Sequence, residues 1–353
     1  MVQVNFRFRA EDLYDRVWSF GNGEGTTYAP YFCLRPNGKI AGYRHENECF
    51  WDVRDGHVVL LDELEVPTTV FDQVEIDEDG RFTLIGRFRD GAIIHVLREI
   101  PPPDSPNSLP AHELIQRRPA NRRNLVILRA NEESLHRSWD RDLADEHRSW
   151  DLCVSFYGRD ENFPLDDFSE YTILQNDGKK FPSLKQLLQP DSPFWRYEYF
   201  LFPDDDIQMR WSDINTMFGV CREFNLDIAQ PSLHPSGVIN WPATRQKPEY
   251  VLRFVSIVEA MIPLMSRTAL RACVHTFGLS QSGWGVDYIW SRVVGGPMTR
   301  IAVIDKVAVV HTRPTGTNYD FEAARREGRA VSYIYGLTEI GLCREYGGIL
   351  AKP

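Results

Sequence analysis

Hydrophobic and polar positions recur along this chain with two different periods. From residue 1 to about 100 the period is two: "YFCLRPNGKIAGYRH", "CFWDVRDGHVVLLD", "TTVFDQVEIDEDGRFTLIGRF" and "GAIIHVLREI" are short alternating runs, as expected of strands with one face on a core. Asn37-Gly38, Asp55-Gly56, Asp79-Gly80 and Asp90-Gly91 separate the runs, and such dipeptides accept the positive φ that tight hairpins need. The pattern predicts a small antiparallel all-β domain over residues 1–100. Residues 101–121, within "PPPDSPNSLPAHELIQRRPANRR", are crowded with proline and polar side chains that block helix and stiffen the chain, so they read as a linker.

From residue 122 to 353 the pattern changes. "NLVILRA" and "DLCVSFYG" are continuous apolar runs, the mark of strands covered on both faces. "YTILQN", "YEYFLFP" and "LDIAQPSL" add further strands, and "RIAVIDKVAVVHTRP" reads as two short ones. "NEESLHRSWDRDLADEH", "FPSLKQLLQ", "WSDINTMFGVCREFN" and "YDFEAARREGRAVSYIYGLTEIGLCREYGG" read as helices. Strands alternating with helices predict an α/β domain with a mostly parallel sheet.

Candidate chemistry gathers at strand ends. In "YEYFLFPDDDIQMRW" three carboxylates follow an apolar strand directly, although Asp is among the residues least welcome in a core. Ligands of open α/β sheets bind beyond the carboxyl ends of the strands. Residues two apart in extended chain point the same way, so Asp204 and Asp206 can share a ligand while Asp205 faces elsewhere. Paired carboxylates suit Mg2+ or Mn2+, which would neutralise a diphosphate leaving group. The plain alternative is a solvated acidic turn before the helix near Trp211. In "SGWGVDYIWSRV", Asp287 opens an apolar helix behind Gly283, Trp284 and Gly285. It fits a general base or an ordinary helix N-terminal acid; Trp284 offers a flat face to a sugar ring. His311 ends an apolar strand, as a third metal or phosphate ligand or as a core histidine.

Five stretches in order, "YEYFLFPDDDI", "LDIAQPSLHPSGVINWPATR", "VEAMIPLMSRTALRACV", "GWGVDYIW" and "IAVIDKVAVVH", resemble a plant and bacterial family catalogued as a domain of unknown function. Its members in turn look like GT-A glycosyltransferases. The resemblance covers roughly the C-terminal two-thirds of the chain. It implies a GT-A-like, Rossmann-like fold and metal-dependent transfer of a sugar from a nucleoside-diphosphate donor to a hydroxyl of a glycan or lipid-linked glycan. Carried over residue by residue, the metal site falls on Asp204, Asp206 and His311, with Mn2+ or Mg2+ as cofactor, and the base of an inverting displacement falls on Asp287. The resemblance also places Arg129, Asn131 and Tyr157 at the nucleoside, Lys179 and Lys180 at the phosphates, and Asp205, Trp284 and Gly285 at the donor. The plant-type members tend to carry an N-terminal membrane anchor, whereas this chain starts with the β-rich region.

Composition narrows the classes. A formal net charge of -10 argues against a general nucleic-acid binder, whose affinity rests on clustered Lys and Arg. The N-terminus lacks the apolar core of a secretory signal, and no apolar stretch reaches the ~18 residues that span a bilayer. Six cysteines without a CxxC pair read as reduced thiols of a cytoplasmic protein. "NGKIAGYRHENECFWDVRDG", with Tyr43, Arg44, His45, Glu46, Asn47, Glu48 and Trp51, either contacts glycan or a partner, a second copy included, or fills the β domain's own core. Two other classes stand beside the transferase reading. One is a metal-dependent phosphoryl-transfer or hydrolase enzyme using the same acids; the other is a non-catalytic carbohydrate-binding assembly protein.

Overall fold

In this computed structural model the described residues are 2–351, apart from 15, 36–37, 42, 44, 79, 90, 101–112, 159–167, 175–178, 296–297, 315–319, 336 and 338–342. The chain divides into two compact units, one of Met1–Ser105 with Glu327–Ile340, the other of Pro106–Arg326 with Gly341–Pro353.

The first unit is built on strands β1 (Val2–Val4), β2 (Val17–Asn22), β3 (Thr27–Leu34), β4 (Ile40–Ala41), β5 (Phe50–Arg54), β6 (His57–Leu61), β7 (Pro67–Ile76), β8 (Phe82–Phe88) and β9 (Ile93–Ile100). Their order is β4-β3-β2-β9-β8-β7-β6-β5, with β1 on β7, and every pairing is antiparallel. Arg54 pairs with His57, which leaves Asp55 and Gly56, at φ 51° and 77°, as a two-residue loop whose twist matches the strands it joins. The alternating side chains Trp18, Phe20, Phe32, Trp51, Phe71, Phe82 and Leu84 converge on one core, each contributing about 1.5–3 kcal/mol by burial. Trp51 is 4% exposed and its indole N–H donates to the Arg35 carbonyl at 2.9 Å, so this aromatic fills the core. Tyr43 packs edge-on against Phe20. Asn37, Arg44, Asp79 and Asp90 lie outside the described residues.

The second unit carries β10 (Glu113–Gln116), β11 (Asn124–Ala130), β12 (Trp150–Phe156), β13 (Tyr171–Leu174), β14 (Tyr199–Leu201), β15 (Ile207–Gln208), β16 (Ile228–Leu233), β17 (Tyr250–Val255), β18 (Leu264–Ser266), β19 (Ile301–His311) and β20 (Glu345–Leu350). It also carries helices α1 (Lys180–Leu187), α2 (Trp211–Glu223), α3 (Arg267–Cys273), α4 (Val286–Val294) and the start of α5 (Phe321–Ile334). The sheet runs β10-β13-β12-β11-β14-β18-β16-β19-β17-β20, with β15 beside β19. Its heart, β13-β12-β11-β14, is parallel, as is β16 with β19. The other neighbours are antiparallel, so the sheet is mixed and the expectation of a mostly parallel one is corrected. β11 and β12 are buried along their whole length, and Trp211, Ile214, Met217, Phe218 and Cys221 turn one stripe of α2 onto the core.

Three other expectations change. Residues 131–147 hold two short 3-10 turns, Leu135–Ser138 and Asp145–His147, in place of a helix. Residues 301–311 form one strand. The last expected helix stops at Ile334, and residues 345–350 are an edge strand on β17. Of the expected linker, 101–112 lies outside the described residues, whereas 113–116 is β10 on the sheet and Arg122, just beyond it, bonds to Asp145, Asp151 and Glu170. No disulfide joins the six cysteines. Among the described residues no helix is long and apolar enough to cross a membrane.

Candidate active site

The chain runs outward from β11 to β12 and β13, then returns to the other side of β11 as β14. In open α/β sheets such a reversal marks the place where ligands bind, beyond the carboxyl ends of the strands, here β11 and β14. β14 ends at Leu201, and the acids follow after Phe202 and Pro203. The backbone there stays tied down, with Phe202 N–H donating to Pro263 O at 2.9 Å and Asp204 N–H to Met261 O at 2.7 Å.

The three acids have separate partners. Asp204 accepts from Lys180 Nζ at 2.7 Å; the same ammonium donates to Ala260 O at 2.8 Å and Met261 O at 3.0 Å, which uses its three hydrogens. Asp205 accepts from Tyr157 Oη at 2.8 Å, Arg313 Nη1 at 3.2 Å and Ser134 Oγ at 3.4 Å, and its carbonyl takes the Leu135 N–H at 2.7 Å. The Asp206 carbonyl is held by Thr312 through N–H at 3.1 Å and Oγ1 at 2.9 Å. Its carboxylate is buried, with Oδ2 3.4 Å from His311 Nε2 and Oδ1 without a hydrogen-bond partner. Register explains the meeting: β15 pairs with β19 so that Ile207 faces His311, which sets the imidazole beside the residue before Ile207. Burial disfavours the charged imidazole, but the hydrogen bond and charge of Asp206, with Asp204 and Glu259 behind, raise its pKa on balance.

Asp287 stands in the first turn of α4. The turn before it needs glycine: Gly283 lies at φ 82°, and a Cβ there would meet the Phe181 ring at 2.8 Å. Asp287 is 8% exposed; Oδ2 accepts the Ala260 N–H at 3.2 Å and Oδ1 the Tyr288 N–H at 3.1 Å. Burial pushes its pKa up to about 7, against the Ala260 hydrogen bond and with help from the Glu259 charge. Trp284 is half-buried, its ring edge-on to Phe321 at 5.0 Å.

Lys180, which holds Asp204, meets Asp287 through Ala260, while Tyr157 pairs with Asp205 and His311 with Asp206 along the same acidic rim. Arg129 is buried, donating to Ser155 Oγ at 3.0 Å with its guanidinium over the Tyr157 ring. Asn131 shapes the turn after β11, its N–H on Ser134 Oγ at 2.7 Å and its Oδ1 accepting the Glu133 N–H at 3.0 Å. Lys179 is exposed just ahead of α1, and Gly285, at φ 87°, starts that helix's neighbour α4. Three residues escaped sequence reasoning. Arg313 follows two places behind His311; Ser134 sits in a loop expected to be helical; Glu259 is an acid inside the apolar run "VSIVEAMIP", which was itself a signal.

Among the described residues no group of three or more His, Cys, Asp or Glu side chains is gathered to hold a metal. The expected set of Asp204, Asp206 and His311 is not brought together, since Asp204 is held by Lys180; Asp206 Oδ2 and His311 Nε2, a hard oxygen and an imidazole nitrogen, face each other at 3.4 Å. Mg2+ and Mn2+ sites that serve phosphates ordinarily take only one or two protein carboxylates, the rest coming from water and substrate, so the pair fits such an ion.

The second unit is therefore a mixed α/β domain with a carboxylate rim at its switch point. No family model and no curated protein matches the chain. Among solved structures it is similar to S. aureus TarS 1-349, at TM-score 0.39 and 10% identity over 61% of this chain and 73% of that one. It is similar to the same fragment in complex with UDP-GlcNAc at TM-score 0.38 and 13% identity, over 60% and 65%. With the longer TarS chain the TM-score is 0.39 at 12% identity, over 60% of this chain and 39% of that one.

Proposed function

We propose that the second unit is a metal-dependent glycosyltransferase of GT-A type, moving a sugar from a nucleoside diphosphate to a hydroxyl of a glycan acceptor with inversion. One observation carries the reading. A buried aspartate and histidine face each other at 3.4 Å just beyond the carboxyl end of β14, and a buried carboxyl with a pKa near neutrality hydrogen-bonds the loop that also anchors the acidic rim.

Asp206 and His311 would hold Mn2+ or Mg2+, which supplies charge neutralisation for the departing diphosphate. Asp205, fixed by Tyr157 and Arg313, lines the nucleoside side of the rim. Asp287 takes the proton of the acceptor hydroxyl as its oxygen bonds the anomeric carbon and the bond from that carbon to the diphosphate oxygen breaks. A pKa near 7 suits this work, because a useful fraction is ionised at neutral pH and still basic enough to accept a proton.

Thermal unfolding with a panel of UDP- and GDP-sugars, with and without Mn2+, tests the reading. A ligand bound only by the folded state raises the midpoint by mass action, so one donor class should shift it in the presence of the ion. Indifference to the whole panel would overturn the proposal.

A further inference from the structure

The reaction proposed above draws on the second unit alone. The sheet of the first unit closes on itself: Lys39, beside β4, bridges to Phe50 of β5, and the Trp51 N–H donates to Gly38 O at 2.8 Å. Because neighbouring strands alternate in direction, loops 23–26, 42–49, 62–66 and 89–92 share one end of this closed sheet, and the ends of small β-barrels are favoured places for ligands. Among the described residues of those loops there are six acids and one arginine.

Aromatic rings and a buried acid meet at that end. Tyr28, Tyr43 and His95 stand edge-on around Phe20, with ring centroids 5.4, 5.3 and 4.9 Å from it, and Tyr28 is 37% exposed. Burial pushes the His95 pKa down to about 4, so this ring is an uncharged wall. Tyr43 stacks on His45, whose Nδ1 lies 3.1 Å from Glu48 Oε2. That nitrogen already takes the Asn47 N–H at 3.2 Å, which a protonated Nδ1 cannot do. Glu48 is 3% exposed; its Oε1 has no donor among the described residues, yet it is not sealed from solvent. The loops' arginine, Arg89, is engaged by Asn47 Oδ1 at 3.0 Å and Asp62 Oδ2 at 3.5 Å. Burial accordingly outweighs His45 and Arg89 and raises the Glu48 pKa, so the chain offers this carboxyl no full counter-charge. The array is fixed in advance, with Thr68 Oγ1 donating to Asn47 O at 2.8 Å and the Glu63 N–H to Glu46 O at 3.2 Å.

We infer that this end of the first unit binds an organic ammonium group, with Tyr28 and Tyr43 as its walls and Glu48 as its counter-charge. A cation beside aromatic faces is attracted by the ring quadrupole, and loops rich in one sign of charge draw it in. A neutral sugar would stack on the same tyrosines but would leave Glu48 uncompensated, so the amine is favoured over an uncharged glycan. The inference is independent of the transfer reading.

Calorimetric titration of the full chain at low salt tests it against wild type, Tyr28→Ala and Glu48→Gln. The ligands are choline, its uncharged carbon isostere dimethylbutanol, a glucosamine oligosaccharide and the N-acetylated counterpart. Wild type should bind choline or the amino-sugar oligomer, and the one that binds tells whether the ammonium comes from a free small molecule or from a glycan. Its uncharged counterpart should bind at least about tenfold more weakly, and each substitution should weaken the ammonium ligand by about 3- to 30-fold. Tyr28→Ala, altered at a partly exposed ring, should keep its unfolding midpoint, and the wild-type comparison needs no variant. An uncharged ligand bound as tightly as its ammonium counterpart, no binding of either ammonium by wild type, or full ammonium affinity in either folded variant would overturn the inference and leave the transferase reading untouched.

Discussion

Lys180 and Asp287 grip opposite ends of the same residue: Lys180 Nζ donates to the Ala260 carbonyl at 2.8 Å, and Asp287 Oδ2 accepts the Ala260 N–H at 3.2 Å. Since Lys180 also holds Asp204 at 2.7 Å, the acidic rim and the proposed base share one support. The Lys180→Met variant keeps the alkyl length and removes the ammonium, leaving Asp204 and two carbonyls without their donor. Stability should fall by about 2–3 kcal/mol, the usual cost of stranding buried polar groups, and turnover should fall with it because Ala260, whose N–H bonds Asp287, is no longer held through its carbonyl. Denaturant unfolding and steady-state kinetics on the same preparation check both.

Asp287→Asn should leave donor binding within about twofold and lower turnover by about 10²–10⁴, the range of a general base. Donor affinity measured by calorimetry separates this from a loss of the site. Equal losses of affinity and turnover would place Asp287 in donor binding.

The pH dependence follows from the same carboxyl. Its pKa is raised to about 7, so it is protonated, and idle as a base, on the acid side. The turnover rate should climb with pH up to about 7 and then level off, falling about tenfold per unit below. Stability runs the other way. Between the unfolded carboxyl value and about 7 the folded state holds a proton that the unfolded chain has released, so stability declines as pH rises through that window. The contribution is on the order of 4 kcal/mol at most. Unfolding midpoints from pH 4 to 8 should show a steeper decline in the wild type than in Asp287→Asn.

Arg313 bridges Asp205 at 3.2 Å and the Glu133 carbonyl at 2.7 Å. Arg313→Lys has one compact ammonium in place of a fork and cannot reproduce both bonds. It should weaken nucleotide binding by about tenfold, read by calorimetry with the free diphosphate, and cost about 1 kcal/mol of stability.

Much of this was legible in the sequence because it rests on local pattern. The continuous run of residues 124–130 had to be a strand covered on both faces, and three acids behind an apolar strand had to find partners at its rim. β17 and β18 lie in stretches that were not read as strands at all, and both enter the sheet antiparallel, which is why a mostly parallel sheet was expected. The loop after β11 misled for a different reason. Ser and Asn compete with helix by bonding nearby backbone, and here Asn131 and Ser134 do so while Asp205 takes the Leu135 N–H. Arg313 became visible only once β15 and β19 were paired, whereas Glu259 carried a signal as an acid in an apolar run that went unread until residue 260 was seen to bond Asp287. The edge strand at 345–350 was hidden because its glycines suit a helix end, yet Gly348 sits where a Cβ would meet the Leu252 carbonyl at 2.4 Å.

The central claim is that Asp206 and His311 hold the ion that binds the donor's diphosphate. Calorimetric titration of UDP and GDP into wild type, Asp206→Ala and His311→Ala, each with Mn2+ and with EDTA, tests it most directly. The expected result is tight binding of one diphosphate to wild type with Mn2+, at least about tenfold weaker binding in EDTA, and no Mn2+ enhancement in either variant. Binding that is the same with and without Mn2+, or a Mn2+ enhancement that survives both substitutions, would contradict the account.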